Sequence, residues 1–383
     1  MSHLMNTLDF RPETIVSGDG AYLIDDHGQR WLDWYSDTGA ASLGYCHVAT
    51  NVALGRLLHE QIPVHSINLH PFKEREIAAE RVCKAAGMDK AFFCNSGTEA
   101  VEAAIKLARL HQHKQGYDRS DIWTLKGCFH GRTYGALAAS DGPDHHLKGF
   151  GPHMEGFHKW DWDDMEEIPK NAAAVIVTPM LGAHVVIPYT KEQLSAIREY
   201  CTKHGIILIF DEIQCGSGRT GSFLYSQQLG VEADIVTLAK GIACGYPVGI
   251  CLARGPIADT FTPGVHFSTF GGSPASCVFV NAFLDYLTPG FLRKVKAKGE
   301  HIGAALRSMD HFDEITATGM MIAAHSQLDA VEFAKRCAEH KLIIGAWRKD
   351  PIRLCPTLDI DFYDIDYGLE IVDVVAAEMK AEL

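Results

Sequence analysis

Hydrophobic and polar positions alternate in blocks through the middle of the chain. Short continuous apolar runs recur at Ala91-Phe92-Phe93, Ile122-Trp123-Thr124-Leu125, Ala173-Ala174-Val175-Ile176-Val177, Ile206-Ile207-Leu208-Ile209-Phe210, Ile235-Val236-Thr237-Leu238 and Val248-Gly249-Ile250-Cys251-Leu252. The segments between them carry apolar residues at helical spacing. This pattern predicts strands buried on both faces, and so an α/β fold with a mainly parallel sheet covered by helices. The ends of the chain read differently. Residues 1–15 are polar and predict an arm. Residues 21–34 are two β-rich runs around a turn containing Gly28, which predicts a hairpin. A small-residue stretch from Thr38 to Gly44 follows, and residues 48–62 and 73–87 show helical spacing. Beyond about residue 280 the pattern predicts helices at 278–287 and 291–308, short strands around 312–325 and 342–355, and a closing helix from about 364. The expected division is a large α/β domain (46–280), a small C-terminal α+β domain (281–383), and an N-terminal segment (1–45) packing with the latter.

Composition narrows the class. The chain has 383 residues, 47% hydrophobic and 22% charged, enough for the core of a soluble enzyme. A formal charge of -13 offers no basic surface to offset phosphate repulsion, which excludes nucleic acid and anionic membranes as expected partners. With no signal-like segment and no long apolar run, neither secretion nor a membrane span is expected, and the predicted location is cytoplasmic. The eleven cysteines, odd in number and scattered without C-x-x-C pairs, fit buried thiols in a reducing compartment. Among twenty histidines, His111/His113 and His145-His146 lack a third ligand at suitable spacing, so no metal is expected.

Candidate chemistry gathers where the apolar runs end, the edge at which parallel sheets bind ligands. Cys94-Asn95-Ser96-Gly97-Thr98-Glu99-Ala100 joins a strand to the helical pattern 101–109. The unpaired first amides of such a helix and its dipole favour an anion, Ser96 and Thr98 add hydroxyls, and Gly97 permits close approach; a plain N-cap is the simpler alternative. Phe129-His130-Gly131-Arg132-Thr133 offers an aromatic face, an imidazole and a fixed cation. Asp211 emerges at the end of a very apolar strand. Lys240 follows another, where partial desolvation lowers an amine's pKa toward nucleophilic use. Ser268-Thr269-Phe270-Gly271-Gly272 is a further turn before a helix. Each alone is ordinary. Together they meet the needs of pyridoxal phosphate: a helix N-terminus for the phosphate, a lysine for the aldehyde, an acid for the pyridine nitrogen, a stacking ring, and an arginine for a substrate carboxylate. Gly216-Ser217-Gly218-Arg219-Thr220-Gly221 matches a dinucleotide fingerprint, but Asp211 to Cys215 separate it from the strand, and no acid closes a βαβ unit about 20 residues on.

These stretches, with Asp211-Glu212-Ile213-Gln214 and Thr237-Leu238-Ala239-Lys240-Gly241, resemble the class III pyridoxal-phosphate aminotransferases, nearest the acetylornithine/ornithine branch, in order from about residue 20 to 360. The resemblance implies fold type I with a seven-stranded sheet, and a homodimer with active sites at the interface. It implies Lys240 as the cofactor-bearing lysine, Asp211 on the ring nitrogen, Phe129 stacked on the ring and Gln214 near the ring hydroxyl. Ser96, Gly97 and Thr98 would hold the phosphate, with Thr269 of the other subunit, and Arg132 and Arg353 would clamp substrate carboxylates. The implied reaction moves an amino group from an acetylornithine-like or other ω-amino or diamino acid to 2-oxoglutarate, with an aminomutase, epimerase or decarboxylase as the alternative. Three departures stand out. Thr178-Pro179 replaces the family's usual Glu-Pro, Thr38 stands where ornithine-specific members carry tyrosine, and Thr316-Ala317-Thr318-Gly319 replaces an Arg-Gly-x-Gly run.

Overall fold

The computed structural model describes residues 3–5, 7, 11–143, 146–183 and 185–382. Much of the expected arm, His145 of the histidine pair and His184 therefore lie outside the described residues. Strands β1 (Ile15–Asp19), β2 (Tyr22–Asp25) and β3 (Arg30–Asp33) open the fold as an antiparallel meander that contains the expected hairpin. Then come β4 (Lys90–Cys94), β5 (Ile122–Leu125), β6 (Phe157–Trp160), β7 (Ala174–Val177), a short pair β8 (Met180–Leu181) and β9 (Ile187–Pro188), and β10 (Ile207–Asp211), β11 (Ile235–Leu238) and β12 (Gly249–Ala253). Seven of these build the main sheet, in the order β4-β12-β11-β10-β7-β5-β6. All its pairings are parallel except those of β12, which runs antiparallel to both β4 and β11.

Alternation of side chains across the pleat explains why the central strands read as unbroken apolar runs. Ile207 and Ile209 of β10 pack in one cluster with Ala103, Ala104, Leu107 and Ala108 of the helix Gly97–Lys114. Leu208 and Phe210 belong to the cluster on the opposite side, with Leu194, Ile197 and Cys201 of the helix Lys191–His204. Each buried Leu, Ile or Phe among them contributes about 1.5–3 kcal/mol relative to exposure. A reciprocal cap starts the second helix: Thr190 accepts from Gln193 N–H at 3.2 Å, and the Gln193 side chain accepts from Thr190 N–H at 2.9 Å.

Several elements escaped the sequence pattern, two of them for clear reasons. Strand β6, Phe157-His158-Lys159-Trp160, sits on the sheet edge with β5 as its partner, so it carries no continuous apolar run. The helix Ala330–Glu339 is short and buries only a narrow face, Ala330, Phe333, Ala334 and Cys337. The helix expected at 278–287 begins earlier, at Pro274, because Ser273 caps it by accepting from Ser276 N–H at 3.3 Å. In the C-terminal region β13 (Glu314–Thr318), β14 (Met321–His325) and β16 (Ile352–Leu354) form an antiparallel sheet, whereas β15 (Leu342–Ile343) joins β3 in parallel, Leu342 opposite Leu32. The two ends of the chain thus share one sheet. Among the described residues no single helix is long and apolar enough to cross a membrane.

Candidate active site

A cavity of about 380 Å³ opens where β5, β7, β10 and β11 end, and it brings together Ser96, Gly97, Thr98, Phe129, Arg132, Asp211, Gln214 and Lys240. Arg353 and Thr269 do not line it.

At one end stands the helix Gly97–Lys114. Ser96 is extended (φ -152°, ψ 162°) and caps it, accepting from Glu99 N–H at 3.3 Å, while the Glu99 carboxylate accepts from Asn95 N–H at 2.7 Å. The acid is thereby committed to the cap, and the amides of Gly97 and Thr98 have no intrahelical acceptor. A Cβ on Gly97 would meet Ile213 at 2.9 Å and Ala239 at 3.3 Å, so glycine lets the helix end touch the loops that follow β10 and β11. The Thr98 hydroxyl shares a 2.8 Å hydrogen bond with Thr133.

Asp211 closes β10 and is only 3% exposed. One oxygen accepts from Thr237 Oγ1 and from Ile213 N–H, each at 3.1 Å; the other is 2.7 Å from His130 Nδ1. Burial alone would keep that imidazole neutral, but the hydrogen bond to Asp211 raises its pKa to about 9. The hydrogen bond to Asp211 thus favours the protonated form of His130. The sequence motif assigns His130 no role; its link to Asp211 spans 81 positions and no spacing rule reveals it.

Lys240 begins the loop after β11 with a left-handed backbone, φ 50°, and Ser42 Oγ pins the next residue by donating to Gly241 C=O at 2.8 Å. Its amine makes no hydrogen bond to the described residues. Burial pulls its pKa below the usual lysine range; Asp211 opposes this and Arg353 adds to it. Across the cavity, Arg132 lies 5.5 Å from the Phe129 ring centroid and 2.9 Å from His146 Nε2.

Arg353 departs from its expected place. It is on β16, 4% exposed, one layer behind the cavity wall. Nη1 donates to Ala183 C=O at 2.8 Å, and Nη2 donates to the Gln214 amide oxygen at 3.0 Å. The Gln214 amide nitrogen donates to Gly182 C=O at 3.2 Å. Gln214 therefore faces Arg353 and not the open cavity alone, lying across Gly182 so closely that a Cβ there would meet it at 2.6 Å. Arg353 Nε has no partner, and neither has Thr178 Oγ1, 8% exposed in the cavity wall.

Thr38 belongs to a turn beside the site in which Ser36, Asp37, Thr38 and Gly39 are all left-handed, φ 48°, 49°, 59° and 81°. For non-glycine residues this costs roughly 1–2 kcal/mol each. The buried Asp33 carboxylate holds the turn by accepting from Tyr35 N–H at 2.8 Å and Ser36 N–H at 2.9 Å. The glycine-rich 216–221 segment forms consecutive turns without starting a helix, and the buried Arg219 donates to the carbonyls of Pro356 and, at 3.2 Å, Gly39. That geometry removes the dinucleotide reading. Thr269 is exposed, with its carbonyl accepting from Asn68 Nδ2 at 2.8 Å.

A phosphorylated aldehyde with a basic ring nitrogen fits these residues: an unpartnered amine at Lys240, a glycine-shaped helix end, and a buried acid between them. That combination places the chain among the pyridoxal-phosphate-dependent enzymes. The comparison with known families is specific: the model described as "Aminotransferase class-III" matches residues 9–375, and the chain belongs to this family. An acetylornithine aminotransferase of Nitrosomonas europaea is 36% identical over 94% of both chains, and one of Agrobacterium fabrum is 36% identical over 99% of this chain and 97% of its own. The crystal structure of ornithine aminotransferase from Toxoplasma gondii superposes with a TM-score of 0.93 at 25% identity, covering 100% of this chain and 94% of that one. The protein is a pyridoxal-phosphate-dependent transaminase of fold type I.

Proposed function

We propose that the enzyme transfers an amino group from an amino-acid donor to 2-oxoglutarate, in an active site completed by a second copy of the chain. The observation that carries this is the free Lys240 amine in one cavity with the Asp211–His130 pair and the open helix end at Gly97. The cofactor supplies an electron sink for the carbanion formed when the substrate carbon loses its proton. The chain does the rest. Lys240 Nζ, whose pKa burial lowers, would take the proton from the substrate carbon and pass it on to the cofactor carbon that keeps the amino group. Asp211 would hold the proton on the cofactor's ring nitrogen, and His130 orients that carboxylate. Ser96, Gly97 and Thr98 bind phosphate, Phe129 stacks on the ring, and Arg132 offers its guanidinium to a substrate carboxylate. Gln214 and Arg353 act together at the other carboxylate. Thr269, exposed beside the cradle loop through the 3.1 Å bond between Asn95 and Ser268, reaches the phosphate of a partner subunit. The relatives' names favour an acetylornithine-like donor, reacting at its distal amine. On this reading the dimer is the active unit, the domains divide at 46–280 and 281–383, and the enzyme works in the cytoplasm.

The test is spectroscopic. Adding an amino acid to the holoenzyme should shift the cofactor's absorbance, and 2-oxoglutarate should restore it. A spectrum indifferent to every amino acid would contradict transamination, and a fully active monomer in sedimentation would contradict the shared site.

A further inference from the structure

Glu102 does not line the cavity, yet it joins two of the pieces that do. It sits one turn after Thr98 on the helix Gly97–Lys114, so the two side chains share a face. That face meets the loop carrying Phe129, His130 and Arg132. Glu102 Oε1 accepts from the Thr133 hydroxyl at 2.6 Å, from Gly135 N–H at 2.9 Å and from Ala136 N–H at 3.1 Å. The approach leaves no room for side chains: a Cβ at Gly131 would strike the Thr98 hydroxyl, and one at Gly135 would strike the Glu102 carboxylate. Gly131 also has φ 139°, a backbone that favours glycine.

The hydroxyl protons at this junction run one way. Thr133 has a single side-chain proton and gives it to Glu102, so in the 2.8 Å bond between Thr98 and Thr133 the donor is Thr98. Thr98 Oγ1 in turn accepts from Thr133 N–H at 3.4 Å. Thr133 is the N-cap residue of the helix Tyr134–Ala139, but its side chain makes no cap bond, and the Glu102 carboxylate takes the second and third N–H instead. So short a helix has little stability of its own, and this one is held from outside at its other end too: Lys159 Nζ donates to the Ala138 and Ala139 carbonyls at 2.9 and 2.7 Å. The helix then closes the loop. Ser140 Oγ accepts from His130 N–H and donates to Ala136 C=O, each at 2.8 Å, and Cys128 C=O accepts from Asp141 N–H at 2.7 Å.

We propose that Glu102 is a positioning residue: by tying Thr133 and the helix Tyr134–Ala139 to the helix that starts at Gly97, it registers Phe129 and Arg132 against the phosphate end of the site. This rests on the aminotransferase reading and adds a residue to it. The stacking face and the carboxylate-binding cation then keep a fixed offset from the amides that take phosphate. The same junction spends the Thr98 hydroxyl proton inside the protein, so the donor that Thr98 has left for a phosphate is its backbone N–H. Lys240 stands on a separate loop. A loosened junction therefore costs alignment of cofactor and substrate before it costs the chemistry at the amine.

Positioning separates from stability in three variants: Glu102→Met removes the acceptor, Glu102→Gln keeps one, and Ala108→Gly weakens the same helix where it packs on the sheet, away from the junction. In cofactor-free protein, amide hydrogen exchange over 129–136 should quicken about tenfold or more in Glu102→Met and stay within about twofold of wild type in the other two. In holoenzyme, Glu102→Met should change the visible circular dichroism of the cofactor band. It should also raise half-saturation by L-glutamate about tenfold, with the limiting half-reaction rate within about threefold. Glutamine at 102 should restore every readout, and Ala108→Gly should move none. Thr133→Val, which cuts only the hydroxyl links, should give the same pattern at about three- to fivefold, and carries the test if Glu102→Met does not fold. Unchanged exchange and half-saturation in the folded variants would overturn the proposal. So would Ala108→Gly reproducing the effects of Glu102→Met at equal loss of Tm. A cofactor-loaded wild type that ignores L-glutamate would contradict the aminotransferase reading, and exchange and circular dichroism would then decide the role of Glu102 by themselves.

Discussion

Asp211 and Arg353 are both buried charges beside Lys240, and they are held in opposite ways. The carboxylate is well supplied: a hydroxyl, a backbone N–H and an imidazole nitrogen all point at it, with one acceptor position left over. The guanidinium rests on a carbonyl and an amide, with one N–H idle. A charge with a full set of internal partners is a permanent fixture, suited to a cofactor that stays. A charge on neutral, replaceable partners suits a ligand that comes and goes. Their opposite pulls on the Lys240 amine follow from their opposite charges.

Removing the group between them should have the largest effect. Lys240→Ala should lower turnover by at least about 10⁴-fold, since one amine serves as both nucleophile and proton carrier. It should still bind the cofactor through phosphate and ring contacts. Borohydride fixation and peptide mapping of the wild type should find the cofactor on Lys240, and label on another lysine would end the assignment. Asp211→Asn should raise the barrier by about 3–4 kcal/mol and, by stripping His130 of its counter-charge, cost about 2–3 kcal/mol of stability. Near-normal turnover would refute its role.

Arg353→Met should show the reverse pattern, which is the sharpest test of the contrast. No internal ion pair is lost and a desolvated cation is relieved, so thermal stability should stay within about 1 kcal/mol of wild type or rise. The half-reaction with L-glutamate should nevertheless slow by about 2–3 kcal/mol in kcat/KM. A large loss of stability would mean that Arg353 is structural. The smallest effect concerns pH. His130 has its folded pKa raised from the ordinary 6.5 to about 9, so its pairing with Asp211 contributes fully below about pH 6.5 and fades as pH climbs through 9. In cofactor-free protein, the difference in Tm between wild type and His130→Gln should shrink across that window. A difference constant from pH 6 to 9.5 would contradict an imidazolium at this position.

The sheet was legible because doubly buried strands are apolar at nearly every position, and Lys240 and Asp211 were legible because each is the first charged residue after such a run. Strand β6 was not, since an edge strand tolerates His158 and Lys159. The pairing of His130 with Asp211, the direction of the Gln214 side chain and the depth of Arg353 were not legible either. Each is a contact across many residues or between separate sheets, set by how β16 docks behind the wall and not by any local spacing. The left-handed turn at 36–39 was hidden for another reason: Ser36, Asp37 and Thr38 do not announce the conformation that glycine would have signalled.

The antiparallel strand β12 has a consequence for the lysine. Because it turns straight back alongside β11, with Leu238 opposite Ile250, the loop 239–248 leaves and re-enters the sheet at adjacent points. Lys240 rides on a handle fixed at both ends and pinned to Ser42 at the very next residue, Gly241. When a substrate amine takes its place, the lysine cannot drift away. It remains a tethered competitor at an effective concentration on the order of millimolar or above, ready to evict the product and reset the site after each turnover.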